Sequence, residues 1–532
     1  MDEPRPAGRP RRAAASAKPE RPTTAGNAGR WVVLGVLSGC LAVIAVDNTI
    51  VNVALPRLQE DLGASTAELQ WVVDAYSLLF AGTLLTAGSL GDRVGRRRIL
   101  VVGLAIFGTA SLAATLAPNA LVLTGFRGLM GIGGACIMPS TLSLLSQVFP
   151  DPTERARAIG IWAATAGAAV AIGPILGGVL LERFDWHAVF AVNPVLVVPL
   201  LVAVVVLVPE SRDPSKPRLD PVGALLSTAG LVLVVYAVVE APDEGLGVAT
   251  VTTALAGLVL LGAFVVWERR SSHPMLPMSF FANRTFSVSV GAVAVVYFAL
   301  MGAMFFVPQY LQLVRGDSPL ASGVGVLPLA VGFLVASLAS ARVATATTPR
   351  TTVVGGMALV ALGLAAASFV DASSPAALLS VTLGVVGVGL GLVLPQATNG
   401  ILGSVPRQKS GIASAVNDAT SELGGSLGVA VLGAVLTARY RSAIDEAIAE
   451  AGPAAAQLPG NVLDAVRESL GSAMLAAPRV GGEVATAIGE TAGRAFSSGM
   501  GVALAAGALV PAVGAIVAWR LFPRHLERAE HG

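Results

Sequence analysis

The sequence has little charge for its length, and this sets its class. Charged residues make up 13% of its 532 residues, hydrophobic residues make up 54%, and mean hydropathy is +0.74. A soluble globular protein carries about 25% charged residues, so the composition excludes that class. A membrane-spanning helix needs about 20 apolar residues, and this chain is long enough to contain many of them.

Cysteine and histidine are also scarce, which excludes several kinds of chemistry. The two cysteines, Cys40 and Cys136, lie in apolar segments, where small buried hydrophobic residues are expected rather than a disulfide. The four histidines lie in predicted loops or in the C-terminal tail. No His-x-x-x-His, Cys-x-x-Cys or phosphate-binding glycine loop occurs, so we expect no metal, no cofactor and no enzymatic activity.

Apolar segments divide the chain into fourteen predicted helices. Residues 1–30 are rich in Pro, Arg and Ala without an apolar core, which predicts a disordered tail rather than a signal peptide. All six tryptophans lie at or near the ends of the predicted helices, as in an aromatic belt. The predicted helices are 31–55, 70–90, 99–117, 120–146, 157–181, 188–208, 221–240, 249–267, 285–308, 320–341, 351–370, 375–400, 411–436 and 498–521.

The distribution of basic residues predicts which side of the membrane each loop faces. With an even number of spans both termini share one side, and 26 of the 35 Lys and Arg residues fall on that side. Because basic loops stay in the cytoplasm, we predict that both tails, 1–30 and 522–532, are cytoplasmic. The segment 437–497 would then be an external loop. Its Ala-rich pattern with spaced charges indicates either short amphipathic helices on the outer surface or a loosely ordered loop.

The most informative stretch is Gly-Ser-Leu-Gly-Asp-Arg-Val-Gly-Arg-Arg-Arg at 88–98, between two apolar segments. Four arginines and an aspartate cannot lie in hydrocarbon, so this is a hydrophilic turn, and its glycines permit a sharp reversal. The stretch resembles the loop between helices 2 and 3 of the major facilitator superfamily. The matching residues are Gly88, Leu90, Asp92, Arg93, Gly95, Arg96 and Arg97.

The resemblance gives this turn a role. In that superfamily it latches the two halves of the protein together when the cytoplasmic side is closed. We therefore expect Asp92 to face the positive N-terminal end of helix 13 and to pair with a nearby arginine.

Three further stretches resemble the fourteen-helix drug:proton antiporters within that superfamily. They are 47–56 in helix 1, 127–134 in helix 4 and 160–178 in helix 5. The third resembles a motif associated with export, although Ala169 stands where the family usually has glycine. Its smooth face would let a neighbouring helix approach closely. The matching residues of helix 5 are Gly160, Gly173, Pro174, Gly177 and Gly178.

The resemblance implies an all-α integral membrane protein with two six-helix bundles, each built from inverted three-helix repeats. The bundles would occupy 31–208 and 285–521, and the helices within 221–267 would be an inserted pair. A multi-pass monomer in a bacterial cytoplasmic membrane is implied. It would carry a small-molecule substrate through the lipid bilayer, use the proton as coupling ion and have no nucleic-acid partner.

Five ionisable residues lie inside predicted spans: Asp47, Asp74, Arg127, Asp418 and Glu422. Such groups are costly in hydrocarbon and are functional by default. Asp47 and Arg127 both lie roughly 12 Å from the outer end of their helices, so an ion pair is possible. We predict that Asp47 and Glu422 exchange a proton for a cationic substrate, that Arg127 modulates this exchange, and that Asp74 attracts cations. A packing role is the alternative for each acid, chiefly for Asp74 and Asp418.

A substrate cavity needs apolar and aromatic walls with a few polar groups. Helices 6, 9 and 12 offer such residues, for which ordinary packing is the alternative interpretation. No acid lies in helix 10, where some exporters of dications in the resembling family have one, so the resemblance does not extend to export of divalent cations. The candidate cavity residues are Asn193, Tyr297, Phe305, Gln309, Gln396 and Asn399.

Together these patterns predict efflux of hydrophobic, cationic drugs or antibiotics in exchange for protons. Uptake of a small organic solute with protons is the first alternative, and the helix 5 motif argues against it. A membrane sensor or an intramembrane enzyme is the second. A sensor would need an appended soluble domain, and an enzyme would need a histidine or a metal cluster inside the membrane. The sequence offers neither feature.

Overall fold

The computed structural model describes residues 27–62, 64, 66–213, 220–244, 247–272, 274–317, 319–452 and 458–522. These ranges are helical and contain no strand. The helices are α1 Asn27–Leu62, α2 Thr66–Val94, α3 Arg96–Ala114, α4 Ala120–Val148, α5 Pro152–Arg183, α6 His187–Leu207, α7 Pro221–Glu244, α8 Val248–Arg270, α9 Arg284–Gln309, α10 Pro319–Ala346, α11 Pro349–Ala367, α12 Ala376–Gly403, α13 Ser410–Ala451, α14 Gly460–Glu468, α15 Leu470–Ala476 and α16 Gly482–Leu521.

Helix starts follow from local capping chemistry. The side chain of Asn119 accepts a hydrogen bond from the backbone at the start of α4, and Asn283 and Thr348 do the same for α9 and α11. Asp151 caps α5 and is followed by Pro152, which needs no amide partner in the first turn. These polar residues satisfy amide groups that the membrane cannot, so the apolar segments begin as helices.

Twelve helices within the described ranges are long and apolar enough to cross a membrane. Two more, α5 with 32 residues and α7 with 24, match the remaining predicted spans. The predicted all-α membrane class is therefore confirmed. The tail predicted at 1–30 lies outside the described residues up to position 26, and 27–30 already belong to α1. Residues 523–532 of the other tail also lie outside them.

The described residues of the segment 437–497 are mainly helical, which agrees with the predicted short helices rather than with a loosely ordered loop, but the two flanking helices extend further into the segment than predicted. Helix α13 continues to Ala451 and α16 begins at Gly482, with α14 and α15 between them. The hydropathy falls after residue 436, but buried Leu436, Tyr440 and Ile444 continue one helical stripe. Tyr440 also donates a hydrogen bond to the carbonyl of Val466 in α14 at 2.8 Å. The helix α13 therefore extends beyond the apolar segment from which its end at residue 436 was predicted.

Two groups of six helices pack against each other. In the N-terminal bundle (α1–α6), α4 contacts α2 and α3, and α1 contacts α5 and α6. In the C-terminal bundle (α9–α13 and α16), α12 contacts α10 and α11, and α13 contacts α9 and α16. The bundles meet where α2 and α4 contact α13 and where α5 contacts α10 and α12. The pair α7–α8 lies outside, with α7 against both α2 and α13.

Close helix approach at the bundle interface depends on small residues. A β-carbon on Gly88 would lie 2.6 Å from the carbonyl oxygen of Gly411 in α13, and one on Gly160 would lie 2.5 Å from that of Ser337 in α10. Lipid tails are as apolar as leucine, so such packing contacts rather than the hydrophobic effect hold membrane helices together.

Candidate functional site

A buried ion pair lies in the middle of the N-terminal bundle. Asp47 of α1 has no exposed surface, and Arg127 of α4 is 1% exposed. The Nη1 atom of Arg127 donates to Oδ2 of Asp47 at 2.6 Å, and Nδ2 of Asn193 donates to Oδ1 at 2.7 Å. Arg127 also donates through Nε to the carbonyl of Val72. Each charge is thus fully compensated, and a proton on Asp47 would break the pair.

Three further side chains hold this pair in place, and the sequence alone did not reveal two of them. The Tyr76 ring lies 4.6 Å from the guanidinium carbon of Arg127. Ser111 accepts a second bond from Asn193 at 3.0 Å and donates to the carbonyl of Phe190. Asn193 therefore orients Asp47, and its predicted place in a substrate cavity stays a prediction. Tyr76 was detectable only as a polar aromatic residue inside a span.

A second acidic pair lies on α13. Asp418 is 1% exposed; its Oδ1 accepts from Asn417 at 3.0 Å, while its Oδ2 has no hydrogen-bond partner among the described residues. Glu422, one helical turn further, is half-buried. Tyr297 of α9 interacts electrostatically with both acids, and Tyr76 of α2 interacts in the same way with Glu422. In contrast to Asp47, no arginine or lysine of the described chain forms an ion pair with either acid.

The remaining predicted acid, Asp74, is half-buried near the start of α2. It lies on the same helix as Tyr76 but does not share the ion pair of Asp47 and Arg127. Its predicted attraction of cations stays a prediction.

A cavity of about 50 Å³ lies between the two bundles. Ligand pockets usually have about 300–1,000 Å³, so the space is contracted and a drug-sized molecule requires the bundles to separate. Its polar wall adjoins the α13 acids, because Asn417 and Ser421 are sequence neighbours of Asp418 and Glu422. The lining includes Met138, Trp162, Val293, Tyr297, Phe333, Leu394, Thr398, Asn417 and Ser421.

Among the predicted cavity residues, Tyr297 lines this space and the others lie elsewhere. Phe305 is 40% exposed, and Gln309 donates to its carbonyl within α9. Gln396 is buried in α12, and Asn399 accepts from Nε of Arg155 at 2.7 Å.

Trp162 was predicted at a helix end but lines the cavity instead. It lies ten residues after the true start of α5 at Pro152, and its indole donates to Thr141 at 3.3 Å. Because the first turn of α5 is polar, hydropathy placed the start of the helix too late and Trp162 too close to its end.

The turn between α2 and α3 contacts the start of α13. Asp92 is 3% exposed and accepts hydrogen bonds from the backbone amides of Gly411 at 2.8 Å and Ile412 at 3.1 Å. Arg96 donates to the same carboxylate through Nε and Nη2, at 2.9 and 2.6 Å. It also reaches the carbonyls of Arg407 and Gln408. We call this contact the latch, and the end of the molecule that carries it the latch end.

The rest of the turn supports the latch. Gly95 has φ +130°, a conformation that favours glycine, and it immediately precedes α3 as its N-cap residue. Arg97 donates to the carbonyls of Val205 and Val208 at the end of α6, and Arg93 lies half-buried in the last turn of α2.

Further hydrogen bonds close the latch end between the bundles. Gln147 of α4 donates to the carbonyl of Arg407 at 2.7 Å and to Ser410 at 3.3 Å. Arg407 in turn donates to the carbonyl of Pro150 at 3.1 Å. Together with the bond from Arg155 to Asn399, these contacts separate the cavity from the latch end.

The glycines of α5 are its contact points with two other helices. Gly160 approaches α10, whereas a β-carbon on Gly173 would overlap the Thr49 hydroxyl of α1 and one on Gly177 would lie 3.0 Å from Ile50. Gly178 has open space around it. The side chain of Pro174 lies outside the described part of the chain. The smooth face of the helix 5 motif is thus used against α1 of the same bundle.

We expect Gly173→Ala to destabilise the protein and to slow transport, whereas Gly178→Ala is harmless. The added methyl group overlaps Thr49 and must displace α1, which costs about 1–3 kcal/mol. Thermal unfolding of the detergent-solubilised variants, followed by fluorescence-detected gel filtration, measures the difference. Equal melting temperatures for the two variants would contradict the close packing described above.

The fold and the site together define a class. A polytopic helical protein with buried charges, a cavity shared by two bundles and a closure at one end is a membrane transporter. The sequence profile of the Major Facilitator Superfamily matches residues 37–429, and the chain belongs to this superfamily.

Several characterised proteins are similar to this chain over most of their length. The multidrug efflux pump LfrA of Mycolicibacterium smegmatis is 42% identical over 415 residues, which cover 78% of this chain and 82% of LfrA. The tetracenomycin C resistance and export protein of Streptomyces glaucescens is 36% identical, covering 79% and 78%. The methyl viologen resistance protein SmvA of Salmonella typhimurium is 33% identical, covering 78% and 84%.

Solved structures share the fold. The human organic anion transporter MFSD10 superposes with a TM-score of 0.62 at 13% identity, over 92% of this chain and 99% of that one. A bacterial homologue of the lysosomal transporter Spinster gives a TM-score of 0.57 at 19% identity, over 93% and 98%. The major facilitator fold implied by the 88–98 turn is therefore confirmed.

Proposed function

We propose that the protein exports hydrophobic, cationic drugs or antibiotics across a bacterial cytoplasmic membrane in exchange for protons. The observation that carries this proposal is the presence of two distinct buried acidic sites: Asp47, which is paired with Arg127 inside the N-terminal bundle, and the acids of α13, which lie next to the cavity and form no ion pair within the described residues. The names of the similar proteins, which are efflux pumps and resistance proteins, support export of drugs. Such a carrier works as a monomer and needs neither a cofactor nor enzymatic activity.

The proposed topology has fourteen spans with both termini in the cytoplasm. It is supported by the twelve apolar helices, by the matching lengths of α5 and α7, and by the excess of basic residues on one side. The latch end is then cytoplasmic. The contracted cavity belongs to a state in which this end is closed.

The two acidic sites have different roles in the exchange of protons for substrate. Asp47 is bound by Arg127 and Asn193 in the state with a closed latch. Among the described residues no arginine or lysine forms an ion pair with Asp418 or Glu422. A buried carboxyl group without a cation partner is stabilised by a proton or by a cationic substrate. Competition between these two occupants beside the cavity gives exchange, because the site cannot hold both. The latch breaks and forms again as access alternates between the two sides.

Transport in everted membrane vesicles tests the proposal, with ethidium, a hydrophobic cation that carries a single charge, as the first probe. When the vesicle interior is acidified, we expect the probe to accumulate inside while protons leave. Dissipating the gradient with an ionophore should abolish uptake. Vesicles lacking the protein provide the background. Movement of the probe in the same direction as protons would instead establish a symporter, and movement unaffected by the gradient would exclude proton coupling.

A further inference from the structure

The segment after α6 contacts the latch from outside the motif. Residues 209–213, here named the strap, run along the turn between α2 and α3. Ser211 accepts a hydrogen bond from Nη1 of Arg96 at 2.7 Å, and its carbonyl accepts from the Arg96 amide at 2.8 Å. The amide of Asp213 donates to the carbonyl of Asp92 at 2.7 Å. The strap therefore binds both residues that form the latch.

Ser211 determines which acceptor each nitrogen of the Arg96 guanidinium contacts. Nε and Nη2 point to Asp92, Nη2 also reaches two carbonyls next to α13, and Nη1 binds the Ser211 hydroxyl. Arg96 is 1% exposed, so a lost bond at Nη1 cannot be replaced by bulk water. The serine thus holds the guanidinium in the orientation that the latch requires.

Asp213 extends this arrangement across the bundle interface. Its carboxylate, on a residue that is 3% exposed, lies 3.9 Å from the Lys409 ammonium. Lys409 immediately precedes α13, next to the amides that Asp92 accepts from. Opening the latch end moves α13 away from α2 and must break this ion pair together with the latch.

In sequence, the strap is followed by the inserted helices α7 and α8. Helix α7 packs along the seam between α2 and α13, and the Thr86 and Thr228 hydroxyls lie 3.4 Å apart about two turns before Asp92. The helices that the latch joins are therefore covered by the element that follows the strap in sequence.

We propose that Ser211 and Asp213 are positioning residues of the latch. Ser211 orients Arg96 on Asp92, and Asp213 binds Lys409 so that the closed latch end is favoured. The inference presupposes alternating access but not the substrate or the coupling ion of the proposed function.

Cross-linking tests it without a substrate. Cysteines at Gln147 and Ser410, whose side chains meet across the bundles, report the closed state in a background without Cys40 and Cys136. We expect Asp213→Asn and Lys409→Gln each to lower the cross-linking rate about fivefold, which is the upper end of the range for ion pairs near a protein surface. The charge exchange Asp213→Lys with Lys409→Asp should restore it. Ser211→Ala should lower the rate as well, without changing expression.

A matched control is Asp317→Asn, which removes an ion pair of 3.5 Å with Arg315 inside the C-terminal bundle. It should leave the cross-linking rate unchanged. A wild-type rate in both Asp213→Asn and Lys409→Gln, or no recovery in the charge-exchanged protein at normal expression, would overturn the proposal. Failure of drug transport in the vesicle assay would leave this result unaffected, so the two proposals are separable.

Discussion

Replacing Asp47 with asparagine is expected to abolish proton-driven export while the protein still reaches the membrane. Asparagine keeps the shape of the side chain and can still accept from Asn193, but it removes the charge that compensates Arg127. Breaking a buried pair on one side costs about 3–5 kcal/mol, which corresponds to a loss of more than about 100-fold in a transport step that depends on it. Initial rates in everted vesicles, normalised to protein in the membrane, measure the effect.

Two variants separate this loss from misfolding. Asp61→Asn makes the same change at an exposed position of α1 and should transport normally. The double variant Asp47→Asn with Arg127→Gln contains no uncompensated charge, so it should regain stability without regaining export. Wild-type export by Asp47→Asn would remove the acid from the mechanism.

Replacing Asp92 with asparagine is expected to shift the protein towards a state that is open at the latch end. The carboxylate accepts two bonds from Arg96 and one each from the amides of Gly411 and Ile412. Hydrogen bonds to a charged group contribute about 1.5–3 kcal/mol, so losing the charge should change the ratio of closed to open protein about 10–100-fold. The measurement is the labelling rate of a cysteine at Thr398, on the cavity wall, by an impermeant maleimide in everted vesicles.

The control for this variant is Glu154→Gln. Glu154 pairs with Arg30 at 2.9 Å, but both residues belong to the N-terminal bundle, so its loss should not alter labelling. If the Asp92 variant were labelled no faster than Glu154→Gln, the contact with α13 would be a packing feature rather than a latch.

Some patterns in the sequence determine structure directly, and others do not. Apolar length and basic turns identified the spans, because a helix in hydrocarbon must satisfy its own backbone. The 88–98 turn identified the family, since its spacing of glycine and charge is unusual. Helix ends were less predictable. Polar first turns such as that of α5, and the long extension of α13, remain helical although their hydropathy is low.

The contacts of individual residues also differ in how far the sequence predicts them. Depth along two helices made an ion pair between Asp47 and Arg127 possible, but choosing Asn193 as the third partner required the packing of α6 against α1. Trp162 and Phe333 became cavity residues only when α5 met α10. No spacing in the sequence connects Ser211 and Asp213 to the latch, since they lie more than a hundred residues from it.

Local sequence was sufficient to show that this is a helical membrane protein of a known superfamily and which charged residues lie inside it. These properties depend on local composition and on the cost of charge in hydrocarbon. The tertiary structure alone decided which charges are compensated, where the cavity lies and what holds the latch closed. These depend on contacts between helices that are distant in sequence, and in a membrane such contacts are set by close packing rather than by hydropathy.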